Sequence, residues 1–193
     1  MTFAKLWVGD VTKGGLGAVR ADAIYTDPPW NPGIARIMRQ WADADEGPID
    51  FERFTRVSAM AIAKACPNGP WYVETGPHSA MWRAALGKYS SSPVRVVRAS
   101  WGSRAKPNHV VCANGAKPIP SGLSGEDTTR AAIIECYPAA TILDPFIGKG
   151  LTLRHAMPRG VSVLGMELNP KRLAESVKWL SDNHPEVSLH YEE

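Results

Sequence analysis

Cysteine is scarce: Cys66, Cys112 and Cys136 lie far apart in 193 residues and form no C-x-x-C pair. With five scattered histidines they offer no zinc spacing, so no metal centre is expected. The thiols read as buried or incidental groups in a reducing cytoplasm. Long apolar runs are missing too. Nothing approaches the roughly 18 residues of a membrane span, and the N-terminus has no signal-peptide core. The expectation is a soluble, cytoplasmic protein with no membrane partner. Neither sign of charge dominates. Lys and Arg number 22 against 19 Asp and Glu, so affinity for a polyanion must come from local patches rather than the global balance. Two ligand fingerprints are also absent. G-x-G-x-x-G, the mark of a nicotinamide site, does not occur. Lys149 is followed by Gly150 rather than Ser or Thr, which excludes a phosphate-binding P-loop.

What is present fits one globular domain over residues 1–193, with 44% apolar residues to fill its core. Strands are expected at 4–8, 23–26, 71–74, 94–97, 109–113, 141–143, 161–166 and 187–191, with 94–97 and 109–113 as an antiparallel pair. Helical spacing predicts helices at 51–65, 79–86, 128–137, 151–157 and 171–180. Residues 31–50, polar and interrupted by Pro32, Gly33, Gly47 and Pro48, read as a mobile loop with one or two helical turns. Residues 117–125, rich in proline and glycine, read as a linker between halves 1–116 and 126–193. The alternation implies an α/β fold: a mainly parallel sheet, helices on both faces, and an antiparallel edge.

Two loops follow strands directly, where parallel sheets place ligands. The first is Asp27-Pro28-Pro29-Trp30. Its prolines cannot continue a ladder, so the strand stops there. An exocyclic base amine is a poor nucleophile because its lone pair is delocalised into the ring. A carboxylate from Asp27 and the Pro28 carbonyl, accepting its two hydrogens, would favour a pyramidal nitrogen. Pro29 stiffens the loop, and Trp30 offers a face on which an extruded base stacks. The second loop is Asp144-Pro145-Phe146-Ile147-Gly148-Lys149-Gly150, whose glycines let backbone approach a ligand and turn into a helix. Glu167 closes the next strand, where an acid accepts hydrogen bonds from both ribose hydroxyls. A ribose without a phosphate suits S-adenosylmethionine.

This pair of motifs resembles the amino-methyltransferases of DNA, whose catalytic loop reads [D/N/S]-P-P-[Y/F/W] and whose cofactor loop reads D-P-F-x-G-x-G. The catalytic loop comes first here, as in the circularly permuted β group. The openings Leu6-Trp7-Val8-Gly9-Asp10 and 23–31 look like that group's usual start. The resemblance implies a Rossmann-like methyltransferase fold and S-adenosylmethionine as cofactor. Asp144, Phe146, Gly148 and Gly150 would line it, Glu167 would hold its ribose, and Asp10 would reach its adenine amine. Asp127-Thr128-Thr129 resembles the segment closing over the methionine end, with Thr128 the contact.

The family's target-recognition segment has no counterpart beyond 117–125, and its Lys-Pro near Asp127 is missing. Weak or short sequence specificity is therefore expected, or recognition by residues 31–50 or a second subunit, for which a homodimer would serve. Arg95, Arg98, Arg104 and Lys106, interleaved with Trp101, form a candidate phosphate-tracking edge, and Asn31 is a further candidate nucleic-acid contact. Asp at 27 leans towards adenine-N6 in DNA, single- or double-stranded. Cytosine-N4 in DNA, adenine-N6 in RNA and a non-catalytic nucleic-acid-binding subunit stand as alternatives.

Overall fold

The computed structural model describes residues 2–44, 49–101, 106–138 and 140–192. In chain order these contain β1 (Phe3–Val8), β2 (Ala23–Thr26), α1 (Pro32–Trp41), α2 (Phe51–Ala65), β3 (Trp71–Glu74), α3 (Ser79–Gly87), β4 (Arg95–Trp101) and β5 (Lys106–Ala113). They continue with β6 (Leu123–Ser124), α4 (Glu126–Glu135), β7 (Thr141–Asp144), α5 (Leu151–Ala156), β8 (Ser162–Glu167), α6 (Pro170–Asn183) and β9 (Ser188–Glu192). Among the described residues the strands form one sheet in the order β6-β4-β5-β3-β2-β7-β8-β1-β9. Its pairings are parallel except those of β5, which runs against β3 and β4. The antiparallel pairing thus falls towards one edge, as expected, with the reversed strand set in from it.

Successive strand residues point to opposite faces, and both faces are covered. Tyr25, Tyr72, Ile142 and Val163 pack with Ile133 and Ile134 of α4, Leu153 of α5 and Leu173 and Leu180 of α6. Their neighbours Ile24, Trp71, Leu143 and Leu164 pack with Ile62 of α2 and Trp82 and Leu86 of α3. Every residue of β2, β3 and β8 is buried, which explains why these strands read as apolar runs rather than alternating ones. No described helix is long and apolar enough to cross a membrane. Burial pushes the Cys66 and Cys112 thiols up to about 11 and about 12, far from thiolate chemistry at neutral pH.

Two segments depart from the sequence reading. Residues 32–41 form a full ten-residue helix rather than a turn or two. Asn31 caps it by accepting a hydrogen bond from the Ile34 N–H at 2.9 Å, and Pro32 occupies the first turn, where its missing N–H costs nothing. Residues 117–125 are not a free linker. Leu123 and Ser124 add β6 alongside β4, whose outer edge would otherwise leave backbone groups unpaired.

The decisive junction is between β2 and β7. They are adjacent and parallel, with Ala23 opposite Ile142 and Ile24 opposite Leu143. Chain leaving β2 packs as α2 on one face, and chain leaving β7 packs as α5 on the other. The two loops therefore part and leave a crevice at the topological switch point. Across it Thr26 Oγ1 donates to Asp144 Oδ1 at 2.8 Å, both groups fully buried. Thr26→Val keeps the shape and removes this donor. Its expected cost is about 1–3 kcal/mol, read as a lower urea midpoint; an unchanged midpoint would show that the bond does not hold the junction.

Candidate active site

A cleft of about 1100 Å³ opens at this junction and is lined by both loops. Asp27, Pro28, Pro29 and Trp30 form one wall, with the two prolines buried and Asp27 and Trp30 half-buried. Trp30 Nε1 donates to Asp27 Oδ1 at 2.6 Å. The indole lies against Gly76, a residue with φ of 52°, where an added Cβ would come within 2.5 Å of the ring. Gly76 is held in turn. Its N–H donates to Asn108 Oδ1 at 3.1 Å, and its carbonyl sits 2.9 Å from His109 Nδ1. Asn108 Nδ2 donates to the buried Glu74 carboxylate, which also accepts the Tyr25 hydroxyl. Arg130 of α4 stands 5.0 Å over the Tyr25 ring and reaches the cleft.

Glu74, Gly76, Asn108 and Arg130 were not legible as site residues. One signal was available. Glu74 closes an apolar strand, as Asp27 follows β2 and Glu167 closes β8.

Phe146, Ile147, Gly148 and Glu167 line the same cleft. The Phe146 ring packs on Phe54 of α2, with centroids 5.8 Å apart. Gly148 has a φ of 58°, a conformation that favours glycine, and a side chain there would collide with Arg172. Glu167 Oε1 accepts the Asn169 N–H at 2.9 Å. Burial raises its carboxyl above the ordinary range, against the opposing pull of the Asn169 and Gly148 N–H groups and the Arg172 charge.

Asp10 stands at the end of β1. Its Oδ1 accepts the Thr12 N–H and hydroxyl at 2.8 and 2.6 Å, and its Oδ2 meets Arg39 Nη1 at 2.9 Å. Burial alone would raise this carboxyl. The Thr12 bonds and the Arg39 guanidinium outweigh it, and the group lies below its usual value. A second tie fixes the same helix, since Asn169 Nδ2 donates to the Trp41 carbonyl at 2.8 Å. Helix α1 therefore runs from the Trp30 loop to the Glu167 side, with Ile34, Ala35 and Met38 turned into the cleft.

Several expected contacts fall elsewhere. Asp144 and Gly150 do not line the cleft. Asp144 is 2% exposed and accepts from Thr26, Thr152 and the Phe146 N–H, so it braces the loop from beneath. Burial raises its carboxyl despite those donors. Gly150 lets α6 approach: an added Cβ would lie 2.9 Å from Ser176 Oγ. Thr128 is exposed on α4 and away from the cleft, whereas Arg130 lines it. Asn31 borders the cleft, but its carbonyl oxygen serves the α1 cap.

The basic edge is divided. Arg95 and Arg98 are three apart on one strand and so project to opposite faces, and Arg95 is bound to the Ala116 carbonyl at the strand's far end. Trp101 and Lys106 pair at the carboxyl end of the sheet, on the rim nearest the cleft. Arg104 lies outside the described residues.

No family model matches the chain, and no curated protein matches it. Its fold has solved counterparts. A protein from Thermus thermophilus, provisionally named a DNA modification methylase and complexed with S-adenosyl-L-methionine, aligns over 98% of this chain and 98% of its own, with a TM-score of 0.69 and 16% identity. M1.HpyAVI, also complexed with S-adenosylmethionine, aligns over 92% and 99% with a TM-score of 0.67 and 16% identity. The PvuII DNA methyltransferase, cytosine-N4-specific, aligns over 95% and 88% with a TM-score of 0.59 and 15% identity. At such identities the likeness establishes the fold, a Rossmann-like methyltransferase fold.

Gly76→Ala tests the seat of Trp30. The added methyl and the strained backbone should together cost on the order of 2–4 kcal/mol in urea unfolding, and Gly76→Asn, which tolerates a positive φ, should remain destabilised by the clash. Stability within 0.5 kcal/mol of wild type, roughly the range of ordinary surface changes, would mean that the indole does not rest there.

Proposed function

We propose that the chain transfers a methyl group from S-adenosylmethionine to the exocyclic N6 amine of adenine in DNA, with low or short sequence specificity. The observation that carries this reading is the meeting of two chemistries in one cleft, lined by the Asp27 carboxylate and by Phe146, Gly148 and Glu167.

The second set fits S-adenosylmethionine on its own chemistry. Glu167 is a buried carboxylate open to the cleft, suited to two ribose hydroxyls. Phe146 offers a ring for the adenine to lie against. At Gly148 bare backbone stands where a side chain would fill the space. Asp10, at the end of β1 on the same cleft, would take the adenine amine. When bound, the cofactor supplies a methyl group on a positively charged sulfur.

The chain's own residues do the rest. Asp27 and the Pro28 carbonyl accept the two hydrogens of the target amine and aim its lone pair. Trp30 stacks the base, and the buried prolines hold the loop still. Duplex substrate requires the base to leave the stack, because the amine is otherwise enclosed.

The permuted order is supported by the sheet. With the edge strand β9 left out and β7, β8, β1, β2 and β3 counted in turn, the strands about the junction run 3-2-1-4-5, the doubly wound order with the chain's ends moved. The stretch 117–125, which carries only the two residues of β6, supports weak target recognition. Cytosine-N4 is the second reading, favoured by the likeness to a cytosine-N4-specific enzyme.

Labelled-methyl transfer to duplex DNA, single-stranded DNA and RNA, followed by nucleoside mass spectrometry, should give N6-methyladenine in DNA. N4-methylcytosine, or label only in RNA, would move the reading to that substrate. Cofactor binding without transfer to any nucleic acid would favour a non-catalytic subunit.

Asp27→Ala should reduce transfer by about a thousandfold while sparing cofactor affinity, and Glu167→Ala should weaken the cofactor about tenfold or more. The reverse pattern would exchange the roles of the two loops. Ionised Glu167 offers both oxygens to the ribose hydroxyls, whereas protonation turns one into a donor, and its carboxyl lies above the ordinary range. Cofactor affinity should therefore fall on acidification at a higher pH than a solvent-exposed glutamate would allow. In Glu167→Gln that pH dependence should vanish. Its persistence would assign the titration to another group.

A further inference from the structure

We propose that Arg172 is a positioning residue for the cofactor: its guanidinium, brought against Gly148, holds Glu167 in its charged form, ready for the ribose. The proposal rests on the methyl-transfer reading above and names the cation on which that site's ribose acid depends.

The first observation is a local misfit. Helix α6 opens Pro170-Lys171-Arg172 behind the Asn169 cap and carries no acid in its first turn. Helix N-termini favour acids there, because their first N–H groups already gather positive charge. Arg172 is therefore badly placed for its own helix, and a local rule broken in this way points to a contact elsewhere. That contact is at the cleft, which Arg172 lines while half-buried. Its Nε is buried and meets no acceptor among the described residues. Such a position is costly for a guanidinium unless its charge is answered nearby.

The answering charge is Glu167. A Cβ added at Gly148 would stand 2.8 Å from Arg172 Nη2 and 3.9 Å from Glu167 Oε2, so both groups converge on that one bare residue. Glycine serves there twice, through its positive φ and through the room it leaves for the guanidinium. Loop and helix are tied at the same place, since Ser176 Oγ donates to the Gly148 carbonyl at 3.0 Å. Asn169 completes the unit. Its N–H donates to Glu167, and its side-chain oxygen accepts from the N–H groups of Lys171 and Arg172.

The surrounding elements bring other charges. Asp144 on β7 opposes ionisation of Glu167. Asp10 at the end of β1 is bound to Arg39 of α1, Lys149 of the loop reaches out to Glu175, and Lys171 is exposed. Among these groups Arg172 is the cation that favours the charged form. Without it, burial and Asp144 act against two N–H groups alone, and the carboxyl rises further. Protonation then turns one oxygen into a donor, and the ribose loses an acceptor. The loss of affinity therefore enters from the acid side.

The test uses the full chain as wild type, R172M, R172Q, R172K, E167Q and E167Q/R172M. Calorimetry with S-adenosylmethionine runs from mildly acidic to mildly alkaline pH. R172M and R172Q should bind about tenfold more weakly at the acid end and converge on wild type at the alkaline end. R172K, which keeps the charge, should stay within about threefold of wild type throughout. In E167Q there is no charge to support, so adding R172M should cost less than about twofold. A second readout needs no ligand. The Glu167 carboxyl carbon, identified in NMR spectra by its absence from E167Q, should titrate at higher pH in R172M than in wild type.

A loss of equal size at every pH would overturn the proposal and leave Arg172 as a direct contact or a prop of the fold. So would a loss that persists in the E167Q background, or an R172K variant as weak as R172M. A wild-type chain that binds no S-adenosylmethionine would overturn the functional reading. The carboxyl titration would still decide the link between Arg172 and Glu167, and a titration unmoved in R172M would refute it.

Discussion

The hydrogen bond from Thr26 to Asp144 joins the carboxyl ends of two strands that are more than a hundred residues apart in the chain, and the cleft exists because of that junction. Asp144 is buried, and burial alone disfavours its charge. Three donors make it tolerable: the Thr26 hydroxyl from β2, the Thr152 hydroxyl from α5, and the Phe146 N–H of its own loop. One carboxylate thereby fixes the turn that presents Phe146 and Gly148, the helix that follows, and the neighbouring strand that leads into Asp27. The two loops line one cleft, and this group braces both strands that lead into them.

Other buried carboxylates divide the work. Glu74 sits under the first loop and accepts from Tyr25 and Asn108, and Asn108 links it to Gly76 beside Trp30. Glu167 opens into the cleft, and burial raises its carboxyl. Asp10, half-buried, accepts from Thr12 and meets Arg39. Its partner Arg39 belongs to α1, so a ligand that engages Asp10 also bears on the helix that roofs the site.

Local signals made much of this readable before the structure. The prolines after Thr26 and the glycines after Phe146 break strands abruptly, and an acid closes each neighbouring strand. Helix α2 and strands β2 and β3 were legible from periodicity and apolar runs. The failures have physical causes. Pro32 and Gly33 look like breakers, yet proline in a first turn behind an asparagine cap starts a helix. Asp144 looked like a ligand contact because nothing in its neighbourhood along the chain reveals that β2 will cover it. Asn108 meets Glu74 only through the antiparallel pairing of β3 and β5, and Arg95 parts from Arg98 because a strand reverses its face at every residue. Each miss depends on contacts between distant segments.

The central claim is that both loops serve one reaction in one cleft. A crystal structure of the chain grown with S-adenosylmethionine tests it most directly. The account predicts density for the ribose at Glu167 and for the adenine beside Phe146, with the methyl group directed towards Asp27 under the roof of α1. Cofactor bound anywhere that turns its methyl away from Asp27, or no binding with this cleft intact, would contradict it.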